Sequence, residues 1–183
     1  MDSIKCALMD DLADLITRAQ KGEKDAFGQI YELFHKRIYR YCLFNTQASE
    51  TAQDLCQETF FRAWKSLSTF SQKGGSFQAY IFRIARNLII DLSRKKKELP
   101  LENYDQVDDR QVLEEGLEKQ DDIKKVRNAL SKLDGIERQI IILRYFEEMT
   151  TAEVAKVVGL REGALRVRTH RILKKLKEQI EIT

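Results

Sequence analysis

An all-α chain, built from two small helical domains joined by an acidic linker, is what this sequence predicts. Three observations carry that expectation. One proline and eight glycines in 183 residues leave few turn signals for a strand-rich fold. Several long segments repeat their apolar residues at helical period. Between Glu98 and Asp122 the composition turns acidic, with Pro100 at its opening and Asp105, Asp108, Asp109, Glu114, Glu115 and Glu118 inside it. The domains are therefore placed at residues 1–97 and 122–183, with 98–121 as the linker.

Four helices are expected in the first domain. The first covers Leu12 to Gln20 and breaks at Lys21-Gly22, and the second covers Lys24 to Phe44. The third covers Ser49 to Leu67 with Ser49 as its N-cap, and the fourth covers Ser76 to Lys95. The loop "SQKGGS", Ser71 to Ser76, parts the last two, because adjacent glycines make a continuous helix costly. In the second domain the expected helices are Ile123 to Ser131, Ile136 to Phe146, Ala152 to Val158 and Glu162 to Ile180.

Hydrophobic residues at 43% supply a core and charged residues at 33% a heavily charged surface, which excludes disorder throughout. No apolar run approaches the roughly 20 residues that span a bilayer. The start "MDSIKCALMDDL" is acidic where a secretory leader needs basic residues, so the cytoplasm is the expected location and no membrane insertion is expected. Cys6, Cys42 and Cys56 stand apart, with no histidine cluster nearby. Reduced, mostly buried thiols are expected, and neither metal nor cofactor.

The strongest local pattern is "TTAEVAKVVGLREGALRVRTHRILKKLK", Thr150 to Lys177. Thr150 with Glu153 forms a capping box, Val154, Ala155 and Val158 give a short apolar face, and Gly159 supplies the turn. A longer basic helix follows, so the segment reads as a helix-turn-helix. In that helix Leu165, Thr169, Ile172, Leu173, Leu176 and Ile180 share an inward face. Arg166, Val167, His170, Arg171 and Lys174 lie opposite, flanked by Arg161, Arg168 and Lys175. Arginine reaches guanine edges in a major groove and either cation neutralises phosphate, so this face predicts DNA binding.

Two surfaces of the first domain also call for partners. In the third helix Ala52, Leu55, Cys56, Thr59, Phe60, Ala63 and Leu67 form the inward stripe. Asp54, Gln57, Glu58, Phe61, Arg62 and Lys65 remain outside, with Trp64 at the border, which suggests a protein interface. Around the glycine loop stand Phe70, Lys73, Phe77, Tyr80, Phe82, Arg83, Arg86 and Asn87. Rings interleaved with cations suit unstacked bases, although Ile81, Ile84, Ala85, Leu88 and Leu92 mark a buried face with which Phe77 aligns.

Taken together, "ASETAQDLCQETFFRAW", "SFQAYIFRIARNLIIDLSRKKK" and "LDGIERQIIILRYFEEMTTAEVAKVVGLREGALRVRTHRILKKL" resemble regions two and four of a sigma-70 family factor of the extracytoplasmic-function group. The resemblance covers nearly the whole chain. It implies an alternative-type sigma factor that binds core RNA polymerase and directs promoter-specific transcription initiation. Asp54, Gln57, Glu58, Phe61 and Arg62 would meet the clamp helices of the largest subunit. Phe70, Ser71, Gln72, Lys73, Phe77, Tyr80, Arg83, Arg86 and Asn87 would read and melt the minus 10 element. Arg161, Arg166, Val167, Arg168, His170, Arg171 and Lys174 would read the duplex minus 35 element, and the same domain would meet the polymerase flap.

An anti-sigma factor is a further implied partner. The resemblance also leads the acidic linker toward the polymerase cleft, where its charge suits a nucleic-acid channel. The chain departs from the family at Tyr80, near which a tryptophan is usual, and at Leu133-Asp134, where Leu-Pro is usual. Asp134 retains the chemistry of a helix cap.

The competing reading is a stand-alone helix-turn-helix regulator that acts without polymerase, its first domain serving dimerisation or ligand binding. An enzyme finds little support: the two histidines are far apart, and neither a nucleophile motif nor a phosphate loop is present in the sequence.

Overall fold

The computed structural model describes residues 2–98 and 128–181, with side chains described for 11–95 and 128–178. Every regular element among these residues is helical. Apart from Glu98, which ends a helix, the expected linker, the start of the second domain and the first part of the helix expected at 123–131 lie outside the described residues; 128–131 are helical.

Helix α1 spans Asp2–Gln20, α2 Lys24–Thr46, α3 Ser49–Ser66 and α4 Phe77–Glu98. Helix α1 is longer than its apolar pattern predicts. It ends where Gly22 turns to φ 93°, and Arg18 reaches across that turn to an ion pair with Glu23. Helix α2 is the central element, packed on α1, α3 and α4. Its Ile30, Phe34, Ile38, Tyr41 and Cys42 recur at helical spacing and are all buried. Each such apolar side chain contributes roughly 1.5–3 kcal/mol on leaving water.

The inward stripe expected on α3 is buried at every position from Ala52 to Leu67. Ser49 is not its N-cap, however. Ala48 holds that place without a side-chain bond, while the Ser49 hydroxyl lies 3.0 Å from that of Tyr39 and ties α3 to α2 instead. Cys42 and Cys56 are free, buried thiols, and burial pushes the Cys56 thiol up to about 12.

In the second domain α5 spans Gly135–Ile141 and widens into a π turn over Ile142–Phe146, where the Glu147 N–H donates to the Ile142 carbonyl at 3.0 Å. Helix α6 covers Thr151–Val158 and α7 Glu162–Glu181. Two capping boxes are complete, Asp134 with Glu137 and Thr150 with Glu153, each satisfying N–H groups at a helix start. Asp134 thus caps α5, as its chemistry predicts. Gly159 takes φ 73° at the end of α6, a backbone shape that glycine adopts without strain.

The two domains do not stand apart. Helix α6 packs along α4, the Phe44 and Phe146 rings lie 5.4 Å apart, and buried apolar residues run without a break from Leu15 to Ile172. Phe82, expected among the rings around the glycine loop, is instead wholly buried within the first domain, against α2. Its ring meets Tyr41 edge to face at 5.3 Å, with the Arg37 guanidinium 5.7 Å away. Helix α4 is covered on more than one side, so a single inward stripe understates what it buries.

Candidate nucleic-acid and protein interfaces

Three surfaces emerge from this scaffold. On α3, Asp54, Gln57, Phe61, Arg62 and Lys65 are exposed, and Glu58 is half-buried. Phe61 is 51% exposed, with the Lys65 ammonium 4.3 Å from its ring centre. Glu58 accepts from Arg62 Nε at 2.7 Å one turn away, a surface pair worth about 0–1 kcal/mol. Trp64 turns the other way, its ring 4.8 Å from that of Phe27, and so belongs to the packing between α2 and α3.

Around the glycine loop the chain makes two 3-10 turns, Leu67–Thr69 and Gln72–Gly74, before α4 begins. A cavity of about 290 Å3 opens there, lined by Phe70, Ser71, Gly75, Tyr80 and Arg83 among others. The Phe70 and Tyr80 rings lie 4.8 Å apart, and the Tyr80 hydroxyl meets that of Ser66 at 2.7 Å. Burial raises the Tyr80 phenol above its ordinary value, so it is neutral at physiological pH. Ser71 and Arg83 are exposed at this cavity, whereas Gln72, Lys73 and Asn87 are exposed but outside its lining.

The other two candidate residues here are engaged elsewhere. Phe77 is buried, packed 5.5 Å from Phe34 and 5.4 Å from Phe70, so it props the platform without offering a face of its own. Arg86 Nε donates to Gln139 Oε1 of the second domain at 3.1 Å. From α1, the Gln20 amide donates to the carbonyls of Leu67 at 3.0 Å and Phe70 at 2.8 Å, holding the entry to the loop.

The third surface is α7. Leu165 and Ile172 are buried and Thr169 and Leu176 half-buried, as their spacing predicts. Leu173 departs from that expectation at 41% exposure, at the margin of a stripe whose Ile172 and Leu176 stay covered. Arg161, Arg166, Val167, His170, Arg171 and Lys174 all face outward, with Val167 54% exposed. Arg166 pairs loosely with Glu162 at 3.8 Å, a contact readily exchanged for a phosphate. Arg168 falls away from this group: half-buried, it pairs with Asp134 at 3.5 Å.

Contacts that the sequence analysis does not anticipate converge between the domains. Glu147, Glu153, Lys156 and Gln139 of the second domain meet Arg37 and Arg40, Ser76, Gly74 and Arg86 of the first, respectively. A pair of adjacent glutamates in "YFEEMT" and the spacing of Arg37 and Arg40 on one face of α2 are the only traces of this contact in the sequence. Among the described residues no cluster of His, Cys, Asp or Glu is arranged to hold a metal ion.

Comparison with known proteins agrees with this layout. Residues 30–98 match the family described as Sigma-70 region 2, and residues 123–176 that described as Sigma-70, region 4. The chain is 31% identical over 90% of its length to the ECF RNA polymerase sigma factor BldN of Streptomyces coelicolor, spanning 64% of that protein. It is 29% identical, again over 90% of its length, to the ECF RNA polymerase sigma factor SigW of Bacillus subtilis, and spans 94% of it. Among solved structures, CnrH in complex with the cytosolic domain of CnrY superposes with a TM-score of 0.71 at 26% identity, over 92% of this chain and 96% of the other.

Proposed function

Because the chain belongs to the sigma-70 family, in its extracytoplasmic-function group, we propose that it is an alternative sigma factor whose three surfaces divide the work of promoter-specific initiation. The outer face of α3, through Asp54, Gln57, Glu58, Phe61 and Arg62, docks on the clamp helices of core RNA polymerase. The loop cavity receives an unstacked base of the minus 10 element. Phe70 and Tyr80 supply the stacking floor, and Arg83, Lys73 and Asn87 hold the strand around it. Helix α7 enters the duplex major groove at minus 35 with Arg161, Arg166, Val167, His170, Arg171 and Lys174 toward the DNA.

The observation that carries this reading is the presence, on one chain, of a capped helix-turn-helix with an outward cationic face and a separate cavity floored by aromatic rings. The first suits duplex and the second suits single strand. A protein that both finds and opens a promoter needs the two together. Catalysis then belongs to the polymerase, and the chain serves in the cytoplasm; no described helix is long and apolar enough to cross a membrane. An anti-sigma factor completes the partner set.

The test is co-migration with bacterial core RNA polymerase, comparing the native chain with the double variant Asp54→Ala, Glu58→Ala. Binding that the folded variant loses supports the assignment of α3. Failure of the native chain to bind overturns the reading.

A further inference from the structure

Helix α7 carries cations on two flanks, and they are in different states. Arg161, Arg171 and Lys174 are exposed, and among the described residues none of them has a carboxylate within ion-pair distance. Arg166 pairs only with Glu162 of its own helix, and its side chain is 72% exposed. Arg168 and Lys175 lie seven residues, about two turns, apart on the flank turned toward α5, and both are taken. Arg168 pairs with Asp134 Oδ2 at 3.5 Å and Lys175 with Glu137 Oε2 at 3.0 Å. The Arg168 side chain is only 37% exposed, half the value for Arg166.

The two carboxylates are those of the capping box that starts α5. Asp134 Oδ1 accepts from the Glu137 N–H at 2.7 Å, and Glu137 Oε2 accepts from the Asp134 N–H at 3.4 Å. One oxygen of Asp134 therefore caps its own helix while the other faces a guanidinium of α7. The pair is not what seats α7, because Leu165 and Ile172 are buried beneath it and a surface ion pair adds only about 0–1 kcal/mol. What the pair changes is the charge that α7 presents. A carboxylate satisfies a guanidinium with the same kind of charge-assisted hydrogen bonds that a phosphate would supply. Arg168 stands three residues before Arg171 and so beside it on the helix surface, which puts a flanking phosphate within its range once Asp134 no longer competes.

We propose that Asp134 is an internal substitute for a DNA phosphate: it occupies Arg168 and withdraws one cation of α7 from the duplex, which weakens the sequence-independent part of binding. This rests on the reading of α7 as the minus 35 helix. A phosphate contact strengthens matched and unmatched duplex alike, whereas base-edge contacts strengthen only the matched one. With Arg168 masked, the holoenzyme leaves unmatched duplex sooner, and the choice of site is left to Arg171 and its outward neighbours.

The experiment uses holoenzyme reconstituted from the full chain and bacterial core RNA polymerase. The probe is a fluorescent duplex whose minus 35 sequence is selected from a randomised pool by the wild-type holoenzyme, together with the same duplex mutated there. Asp134→Asn and Asp134→Ser both remove the charge and both keep a capping side chain, so thermal unfolding of the chain is expected to stay close to wild type. Across a salt series each variant is expected to bind both duplexes about fivefold more tightly near 0.1 M salt, with a slope steeper by about 0.9 and an unchanged preference between them. Arg168→Gln is expected to change wild-type binding by less than about twofold and to take back the whole gain in the Asp134→Asn background. Lys174→Ala, which removes an outward cation, is the reference for the loss of one phosphate contact.

If Lys174→Ala lowers the slope while neither Asp134 variant raises it, the masking is wrong and the DNA face of α7 stands. Equal effects of Arg168→Gln in the wild-type and Asp134→Asn backgrounds also overturn it, since Asp134 would then act only as a diffuse negative charge. No effect of Lys174→Ala, with no response to the minus 35 mutation, removes the DNA face of α7 and the masking with it.

Discussion

The hydroxyl of Tyr80 lies 2.7 Å from that of Ser66, so the ring that floors the loop cavity is tethered at its far end to the last turn of α3. Tyr80→Phe keeps the ring and loses the tether. It is expected to hold single-stranded binding by the polymerase-bound chain within about twofold, whereas Tyr80→Ala loses about 1–3 kcal/mol with the stacked base. Fluorescence polarisation with a minus 10 oligonucleotide distinguishes them. Equal losses would assign the contact to the hydroxyl and not to the ring.

Tyr41 is wholly buried, and its hydroxyl has no hydrogen-bond partner. Removing an orphaned polar atom while keeping the ring against Phe82 relieves a desolvation cost. Tyr41→Phe is expected to leave the fold unchanged and to stabilise it by up to about 1 kcal/mol in urea unfolding. A clear loss of stability would show that the hydroxyl is satisfied in solution.

On α7 the division of labour follows from chemistry. Arg171 presents a planar fork suited to a guanine edge, and Lys174 a point charge suited to phosphate. Arg171→Ala is expected to cost about 1–3 kcal/mol on the matched minus 35 sequence and much less on a mutated one. Lys174→Ala weakens both alike and lowers the salt slope by about one ion. Promoter binding by holoenzyme across a salt series checks both, and equal losses on both sequences for both variants would refute the division.

Acid should loosen the contact between the domains through Glu153. Burial raises its carboxyl, but the Ser76 hydroxyl and the N–H and hydroxyl of Thr150 outweigh that and hold it below the ordinary value, with Arg37 adding to the effect. A carboxyl depressed in the folded state contributes stability that is present above its unfolded value and lost as pH falls through the folded one. Thermal unfolding is therefore expected to weaken below about pH 4.5, and Glu153→Gln to flatten that part of the curve. Identical pH profiles for the two proteins would count against it.

Much of this was legible before any coordinates. The stripe on α3, the capping box at Thr150, the helix cap at Asp134 and the turn at Gly159 are local patterns, and local physics decided them. Leu173 and Phe82 were misplaced because burial depends on what arrives from elsewhere. Leu173 sits at the edge of a stripe whose Ile172 and Leu176 stay covered, and Phe82 is covered by Tyr41 and Arg37 arriving from α2. Glu147 was invisible for the same reason. Of two adjacent glutamates only the packing against α2 separates the buried one from the other, and Arg37 lies more than a hundred positions away.

The two hydrogen bonds from Gln20 also connect distant parts of the chain. One amide at the end of α1 commits both of its N–H groups to carbonyls of the loop that leads into the cavity proposed to take a base. The stiffness of that cavity is therefore borrowed from a helix that touches no DNA in this scheme. Whatever grips or releases α1 adjusts how much ordering the loop must still undergo when a strand arrives, and so tunes affinity from behind, with no contact to the nucleic acid.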